Sequence, residues 1–322
     1  MPETSIWNDY WQFDRLSSFD DKGKINYGEE IAAGWRSFFD SLPHGASVLD
    51  LCTGNGAVAV MAAEASRRGG KDFRIAAVDS ADINPCLYVK NHRDELAAIE
   101  FRPATATERL PWPDASFDAV VSQFGIEYSD LSQSISELAR VIAPNGKGRL
   151  FLHAAEGVVV QRSNLAVMEI DFLLHEADLA SKAQRCLRAV AAIERKMDRS
   201  ASARCAARES REAFQKALQE IGQRIATATD PEVLRNSGKM LDALYQRRGQ
   251  YDLAQMIGII EGIRTEWRNH RGRLVAQTEA ALTRDQRAEL ADRLRRSGAA
   301  KVEESDQMAS GALIGHCIDA AF

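Results

Sequence analysis

The sequence predicts an α/β fold: a mostly parallel sheet closed by a terminal antiparallel hairpin, with a long all-α insertion before the last helix. Three observations predict it. Between residues 46 and 154, short apolar runs alternate with stretches of helical length. From about Val159 to Leu282 the apolar residues recur at helical period, with almost no β-branched runs. The C-terminal stretch reads as a capped helix followed by two strands.

Ser47 to Leu51, Phe73 to Val78, Phe117 to Ser122 and Arg149 to His153 are too short for helices and read as strands. The helical gaps between most of them imply parallel pairing through right-handed crossovers. In the insertion, three apolar stripes are expected to pack. They are Leu165, Met168, Phe172, Leu179, Ala183, Cys186, Val190, Ile193 and Met197; Phe214, Leu218, Ile221 and Ile225; and Leu253, Met256, Ile260, Ile263, Trp267 and Leu274. Asp230-Pro231-Glu232 reads as a helix start with Asp as cap and Pro in first position, while Asn236-Ser237-Gly238 and Gly249 read as breaks or kinks. Thr283-Arg284-Asp285-Gln286 is a capping box and Gly298 a stop, bracketing a helix from Arg284 to Ser297. Strands are expected at Ala300 to Glu304 and Ala312 to Ala320, joined by Ser305-Asp306-Gln307 and Ala309-Ser310-Gly311. With no helix between them they must pair antiparallel.

The 322 residues, 45% hydrophobic and 27% charged with a net charge of −5, describe a globular chain and argue against disorder or a general affinity for nucleic acid. The charge is uneven: roughly 25 Lys and Arg face about 19 Asp and Glu between Gly157 and Ala300, near +6, against near −11 elsewhere. Cys52, Cys86, Cys186, Cys205 and Cys317 are scattered, without CxxC spacing or a histidine partner, so no metal site and no disulfide framework is expected. No leader-like run and no membrane-length apolar stretch is read, which makes a cytoplasmic protein the expectation. The domain plan is 1–40 as an N-terminal cap, 41–156 as core, 157–282 as helical insertion and 283–322 completing the core.

The strongest motif is Val48-Leu49-Asp50-Leu51-Cys52-Thr53-Gly54-Asn55-Gly56-Ala57-Val58-Ala59. An apolar strand ends in an acid, turns through glycines and enters a helix, so a ligand can approach the backbone at the helix N-terminus. A second strand ends at Asp79, where such folds place an acid for ribose hydroxyls. The Gly54-x-Gly56-x-x-Ala59 spacing also fits a dinucleotide fingerprint. Asp50, close under the turn, counts against an anionic pyrophosphate and suits an ammonium and a sulfonium; the closing hairpin is also unusual for a dinucleotide half.

This run resembles the S-adenosylmethionine (SAM) motif of class I methyltransferases. Leu110-Pro111-Trp112-Pro113-Asp114-Ala115-Ser116-Phe117-Asp118-Ala119-Val120-Val121-Ser122 is similar to the loop and fourth strand of the ubiquinone/menaquinone-biosynthesis type, and Glu137 to Gly148 to its following helix and turn. The resemblance covers about 40–154 and 283–322 and implies a Rossmann-like SAM-binding core; the helical block from about 157 to 280 lies outside it. It implies that Asp50 reaches the methionyl ammonium directly or through water, that Gly54 and Gly56 pass under the cofactor, that Asp79 holds the ribose, and that Leu51, Cys52 and Ser80 belong to the cofactor site. Gln123 and Phe124 would flank the methyl group. Thr105 and Ala106 stand where relatives carry an acid for the adenine amino group, and Cys52 stands where many carry a glycine. The Asn/Asp-Pro-Pro-aromatic motif of enzymes acting on planar nitrogens is replaced by Ser122-Gln123-Phe124-Gly125, which disfavours such substrates. An N-terminal aromatic helix is implied as a cover, with Tyr10, Trp11 or Tyr27 closing over the sulfonium by cation–π contact; plain packing on the core competes with it.

Methyl transfer needs a base only if the nucleophile must lose a proton. Glu127, Tyr128 and His153 are the catalytic candidates, with His175 behind them; a helix-start acid, a packing ring and structural histidines are the competing readings. Arg264, Arg268 and Arg271, with Arg247, Arg248 and Arg273 nearby, read as a solvated face or as a surface for an anion. The expected function is SAM-dependent methylation of a small molecule under a helical lid. Two alternatives stand beside it: an RNA or protein substrate bound by the insertion, and a non-catalytic scaffold whose helices form a homodimer.

Overall fold

Ser47–Leu51 (β1) is buried at every position, so it needs strands on both edges and cover on both faces. The computed structural model, which describes residues 4–18, 28–194, 200–229 and 231–322, supplies both. The chain divides into two compact units, Met1–Gln161 with Ala276–Phe322, and Arg162–Val275.

In the first unit, Thr4–Trp11 (α1) and Glu29–Asp40 (α2) precede β1, which leads into Ala57–Gly69 (α3) and Arg74–Val78 (β2). Short helices Pro85–Tyr88 (α4) and Arg93–Ala97 (α5) lead to Ile99–Arg102 (β3), followed by Phe117–Gln123 (β4), Leu131–Val141 (α6) and Ile142–Leu152 (β5). Among the described residues one seven-stranded sheet forms, ordered β3-β2-β1-β4-β5-β7-β6, where β6 is Lys301–Ala309 and β7 is Ala312–Ala321. β1 to β5 are parallel, and β7 runs antiparallel to both β5 and β6. One face packs on α2 and α3 through Ile31, Trp35, Phe38 and the alanines of α3. The other packs on α6 and Arg284–Arg296 (α12) through Ile135, Leu138, Leu290 and Leu294. The capping box at Thr283 and Gln286 forms as expected.

Four strand readings are corrected. β3 escaped notice because Glu100 and Arg102 interrupt Ile99 and Phe101 on a half-exposed edge strand. β5 starts at Ile142, ahead of Arg149, because Pro144-Asn145-Gly146 is taken up as an irregularity in the pairing with β4. It also stops at Leu152, so His153 lies just beyond it. Ser305-Asp306-Gln307 is strand and not turn: these residues pair with Cys317, His316 and Gly315, polar because β6 is an edge. The chain reverses at Ser310 and Gly311, with φ +50° and +80°.

The second unit takes most of Val158–Asp171 (α7), then Leu179–Glu194 (α8), Ala201–Thr227 (α9), Glu232–Gln246 (α10) and most of Leu253–Ala280 (α11). Its core joins Ile170, Leu173, Leu187, Phe214, Leu241, Ile260 and Trp267. Asn236-Ser237-Gly238 does not break α10: Ser237 is buried, and a Cβ on Gly238 would meet Ile221 at 3.7 Å, so small residues serve close packing there. Gly249 lies in the break between α10 and α11. Met168, expected in the first stripe, is exposed, because the π-helical turn Phe172–Glu176 shifts the face and Ile170 and Leu173 turn inward. Pro231 directly precedes the first residue of α10; Asp230 and Met197 lie outside the described residues.

Candidate functional site

The chain leaves β1 toward β2 and β3 on one side, and β4 continues to β5 on the other, so the carboxyl ends of β1 and β4 flank the switch point where such sheets bind ligands. The first residue past each strand, Cys52 (φ +54°) and Phe124 (φ +53°), has left-handed backbone, which non-glycine residues rarely adopt. The ends are also pressed together. A Cβ on Gly125 would lie 2.3 Å from Cys52 Cβ, so only glycine fits. Ser122 Oγ donates to Leu51 O at 3.0 Å and accepts from Ile126 N at 3.1 Å.

The glycine turn is tied by its own acids. Gly56 (φ +90°) offers α3 no side-chain cap, and Asp50 supplies one: its Oδ2 accepts from Ala59 N at 3.1 Å and from Thr53 Oγ1 at 2.5 Å. Asp79 accepts from Gly54 N and from Ala81 N, both at 2.8 Å. Burial pushes the Asp50 carboxyl up to about 7, against the hydrogen bonds of Thr53 and Ala59 and with the charge of Asp79. Burial likewise raises Asp79, against its two backbone bonds. Burial drives the Cys52 thiol well up, and the charges of Asp79, Glu127, Asp50 and Glu108 add to it. No cation acts on Asp50 or Asp79 among these influences. Two buried carboxylates without a counter-charge are costly and suit a ligand that brings positive charge.

The N-terminal aromatics lie on this turn. A Cβ on Gly54 would be 2.4 Å from Trp11 Cζ2, and Trp11 is buried with Ala81 and Ile83. Trp11 therefore covers the surface that the motif offers to a cofactor. The ring of Tyr10 takes the Arg15 guanidinium at 4.2 Å. Tyr27 lies outside the described residues. Asn55, buried within the turn, holds this segment through Nδ2, which donates to Trp11 O at 3.0 Å and Arg15 O at 2.8 Å.

Past β4, the catalytic candidates converge. His153 Nδ1 lies 2.8 Å from Glu127 Oε1, which also accepts from His153 N at 2.9 Å. His153 Nε2 lies 2.8 Å from Gln277 Nε2, and Phe124 stacks on the imidazole with ring centroids 4.2 Å apart. The Tyr128 ring stands edge-on to His153 and to Trp7. Burial, then the charge of Glu127, raises the Tyr128 hydroxyl well above its usual range, so it is a hydrogen-bond donor. Gln123 Oε1 accepts from Trp35 Nε1, and Gln123 Nε2 is buried without a hydrogen-bond partner among the described residues.

Of the remaining expected residues, Leu51 is buried within β1 and Ser80 and Ala106 are exposed beyond the strand ends. Thr105 N donates to Asp79 O, while its hydroxyl donates to Pro103 O. His175 is exposed on the second unit beside Asp171. Asn55, Trp35 and Gln277 escaped the sequence reading. Only Asn55, enclosed between Gly54 and Gly56, carried a local signal; Gln277 is 124 positions from the histidine it meets.

The sheet reverses beside an acid–glycine turn and ends in an antiparallel strand, the mixed α/β arrangement expected from the sequence. Residues 48–146 match the family described as a methyltransferase domain. The chain is similar to the demethylmenaquinone methyltransferase of Thermus thermophilus, 36% identical over 102 residues, which are 31% of this chain and 44% of that protein. It is also similar to the 2-phytyl-1,4-naphtoquinone methyltransferase of Thermosynechococcus vestitus, 27% identical over 43% of this chain and 58% of that protein. The chain thus spans about half the length of the curated relatives it matches. Among solved structures, the citrinin polyketide synthase CMeT domain aligns with 90% of this chain and 52% of its own, at 11% identity and a TM-score of 0.44. The buried acids at the turn fit S-adenosylmethionine, whose ammonium and sulfonium supply the missing positive charge.

Proposed function

We propose that this chain transfers a methyl group from S-adenosylmethionine to a small quinol-type acceptor. The observation that carries the reading is the pair of buried carboxylates, Asp50 and Asp79, around a glycine bend without a compensating cation among the described residues. Bound there, SAM supplies a methyl group on positively charged sulfur. The bonds from Thr53 and Ala59 fall on Oδ2 of Asp50, which would take the ammonium, while Asp79 would take the ribose. The acceptor class comes from the relatives, whose names specify naphthoquinone-type substrates.

The helical insertion is part of this proposal as a lid, on the strength of chain order alone: it leaves the sheet after β5 and returns before α12. Its arginines speak for a small molecule over a nucleic-acid arm. Arg271 pairs with Asp171, Arg248 with Glu194, Arg273 with Glu266 and Arg264 with Glu261, so the stripe is largely neutralised. No helix among the described residues is long and apolar enough to cross a membrane.

The test is product analysis. Incubation with trideuteromethyl-labelled SAM and 1,4-dihydroxynaphthalene is expected to give a singly trideuteromethylated product by mass spectrometry. An unlabelled acceptor, from protein that binds S-adenosylhomocysteine, contradicts the quinol class; absence of S-adenosylhomocysteine binding contradicts the methyltransferase reading.

A further inference from the structure

Glu127 lies in the turn that follows β4, and its side chain is fully buried. One oxygen is doubly used: Oε1 accepts from the backbone N–H of His153 and meets its Nδ1. The other, Oε2, is buried with no hydrogen-bond partner among the described residues. A buried carboxylate oxygen left unpaired is expensive, and native proteins keep such groups where a partner arrives during function. His153 is the one cationic type of side chain that pairs with Glu127 among the described residues.

The surroundings leave Oε2 as the open acceptor of this side chain. The Gln277 amide nitrogen can only donate, so His153 Nε2 accepts from it and the Nδ1 proton points toward Glu127. The stacked ring of Phe124 shields the pair on one side. The charge of Glu127 acts on Tyr128 and Cys52, and the second of these also feels Asp50, Asp79 and Glu108. Both hold their protons, so neither competes as a base. The turn that carries Glu127 is pressed against the end of β1, where the glycine turn begins: a Cβ on Gly125 would lie 2.3 Å from Cys52 Cβ.

We propose that Glu127 Oε2 is the proton acceptor of methyl transfer, so that the attacking atom is one activated by loss of an O–H proton, as in a phenol or enol. This rests on the methyltransferase reading above. His153 and Gln277 are positioning residues: one holds Oε1, and the other sets the tautomer of the first. The step balances. The acceptor's oxygen, or the carbon it activates, forms the new bond to the methyl carbon; the acceptor's proton passes to Glu127 Oε2; the C–S bond breaks with its electron pair left on sulfur, which becomes a neutral thioether. A thioether or tertiary amine acceptor has no proton to give and would leave Oε2 unpaired.

The test uses 4-nitrophenol, whose ionised form is coloured, with the S-adenosylhomocysteine complex of the full chain. Titrated from about pH 5 to about pH 9, the bound phenol is expected to ionise about one pH unit or more higher in the wild type than in Glu127→Gln, which sets an amide donor where the open oxygen stood. A second measurement needs no variant: 4-nitroanisole, which has no O–H, is expected to bind the wild-type complex about tenfold or more weakly than 4-nitrophenol. Equal midpoints in the two proteins, equal affinities for phenol and ether, or no binding of the phenol overturns the assignment. S-adenosylhomocysteine affinity is expected to be the same in wild type and Glu127→Gln; its absence from the wild type would overturn the methyltransferase reading instead.

Discussion

Gly54→Ala is expected to weaken S-adenosylhomocysteine binding by about 100-fold, about 2.7 kcal/mol. Two costs combine. The residue has φ +54°, where a Cβ strains the backbone by about 1 kcal/mol or more. The new methyl also projects onto the surface that Trp11 covers, 2.4 Å from its ring, which is where a nucleoside would have to lie. Thermal unfolding should fall by only a few degrees, about 2–4 °C per kcal/mol for a domain of this size, so binding and folding separate in calorimetry. Wild-type affinity in the alanine variant would show that the ligand does not cross Gly54.

Below pH 7, SAM affinity is expected to fall as pH falls, by up to about tenfold per unit, because the Asp50 carboxyl is raised to about 7 and a cation favours its ionised form. The ligand-free protein should behave in the opposite sense. A folded-state pKa raised above the ordinary 3.8 means that the native state holds a proton the unfolded state has released. The contribution of Asp50 to stability is thus present at low pH and lost as pH rises from about 4 through about 7. Asp50→Asn should remove this slope and bind SAM poorly, while being as stable as the wild type or more so at pH 8. Titration calorimetry and thermal melts across this range check both signs. An affinity independent of pH, or an unaltered slope in Asp50→Asn, would separate Asp50 from the cationic ligand.

Much of this was legible in sequence where local chemistry repeats. The alternation of short apolar runs with helical stretches set out the parallel sheet, and the hairpin followed from two strands with no helix between them. Asp50, Gly54, Gly56 and Asp79 were readable because turn geometry restricts which residues can stand there. Elements whose pattern is diluted were not. β3 alternates with charge on an edge, and the middle of β6 is polar because one side faces solvent. Long-range partners were invisible for a different reason: the meeting of His153 with Glu127 and Gln277, or of Gln123 with Trp35, depends on packing between distant segments. The sequence named Glu127 and His153 separately, and only the fold makes them a pair. Nor could it show that Asp50 and Asp79 first serve as ties for the glycine turn, or that Trp11 rests on Gly54.

The central claim is that the bend from Asp50 to Gly56 cradles a sulfonium nucleoside between two acids. Its most direct measurement is a crystal structure grown with S-adenosylhomocysteine. The account predicts the nucleoside lying across Gly54 with the Trp11 ring moved off that surface, the amino group within hydrogen-bond reach of Asp50, and ribose hydroxyls on Asp79. Trp11 still seated on Gly54, with the ligand elsewhere or not bound, would contradict it.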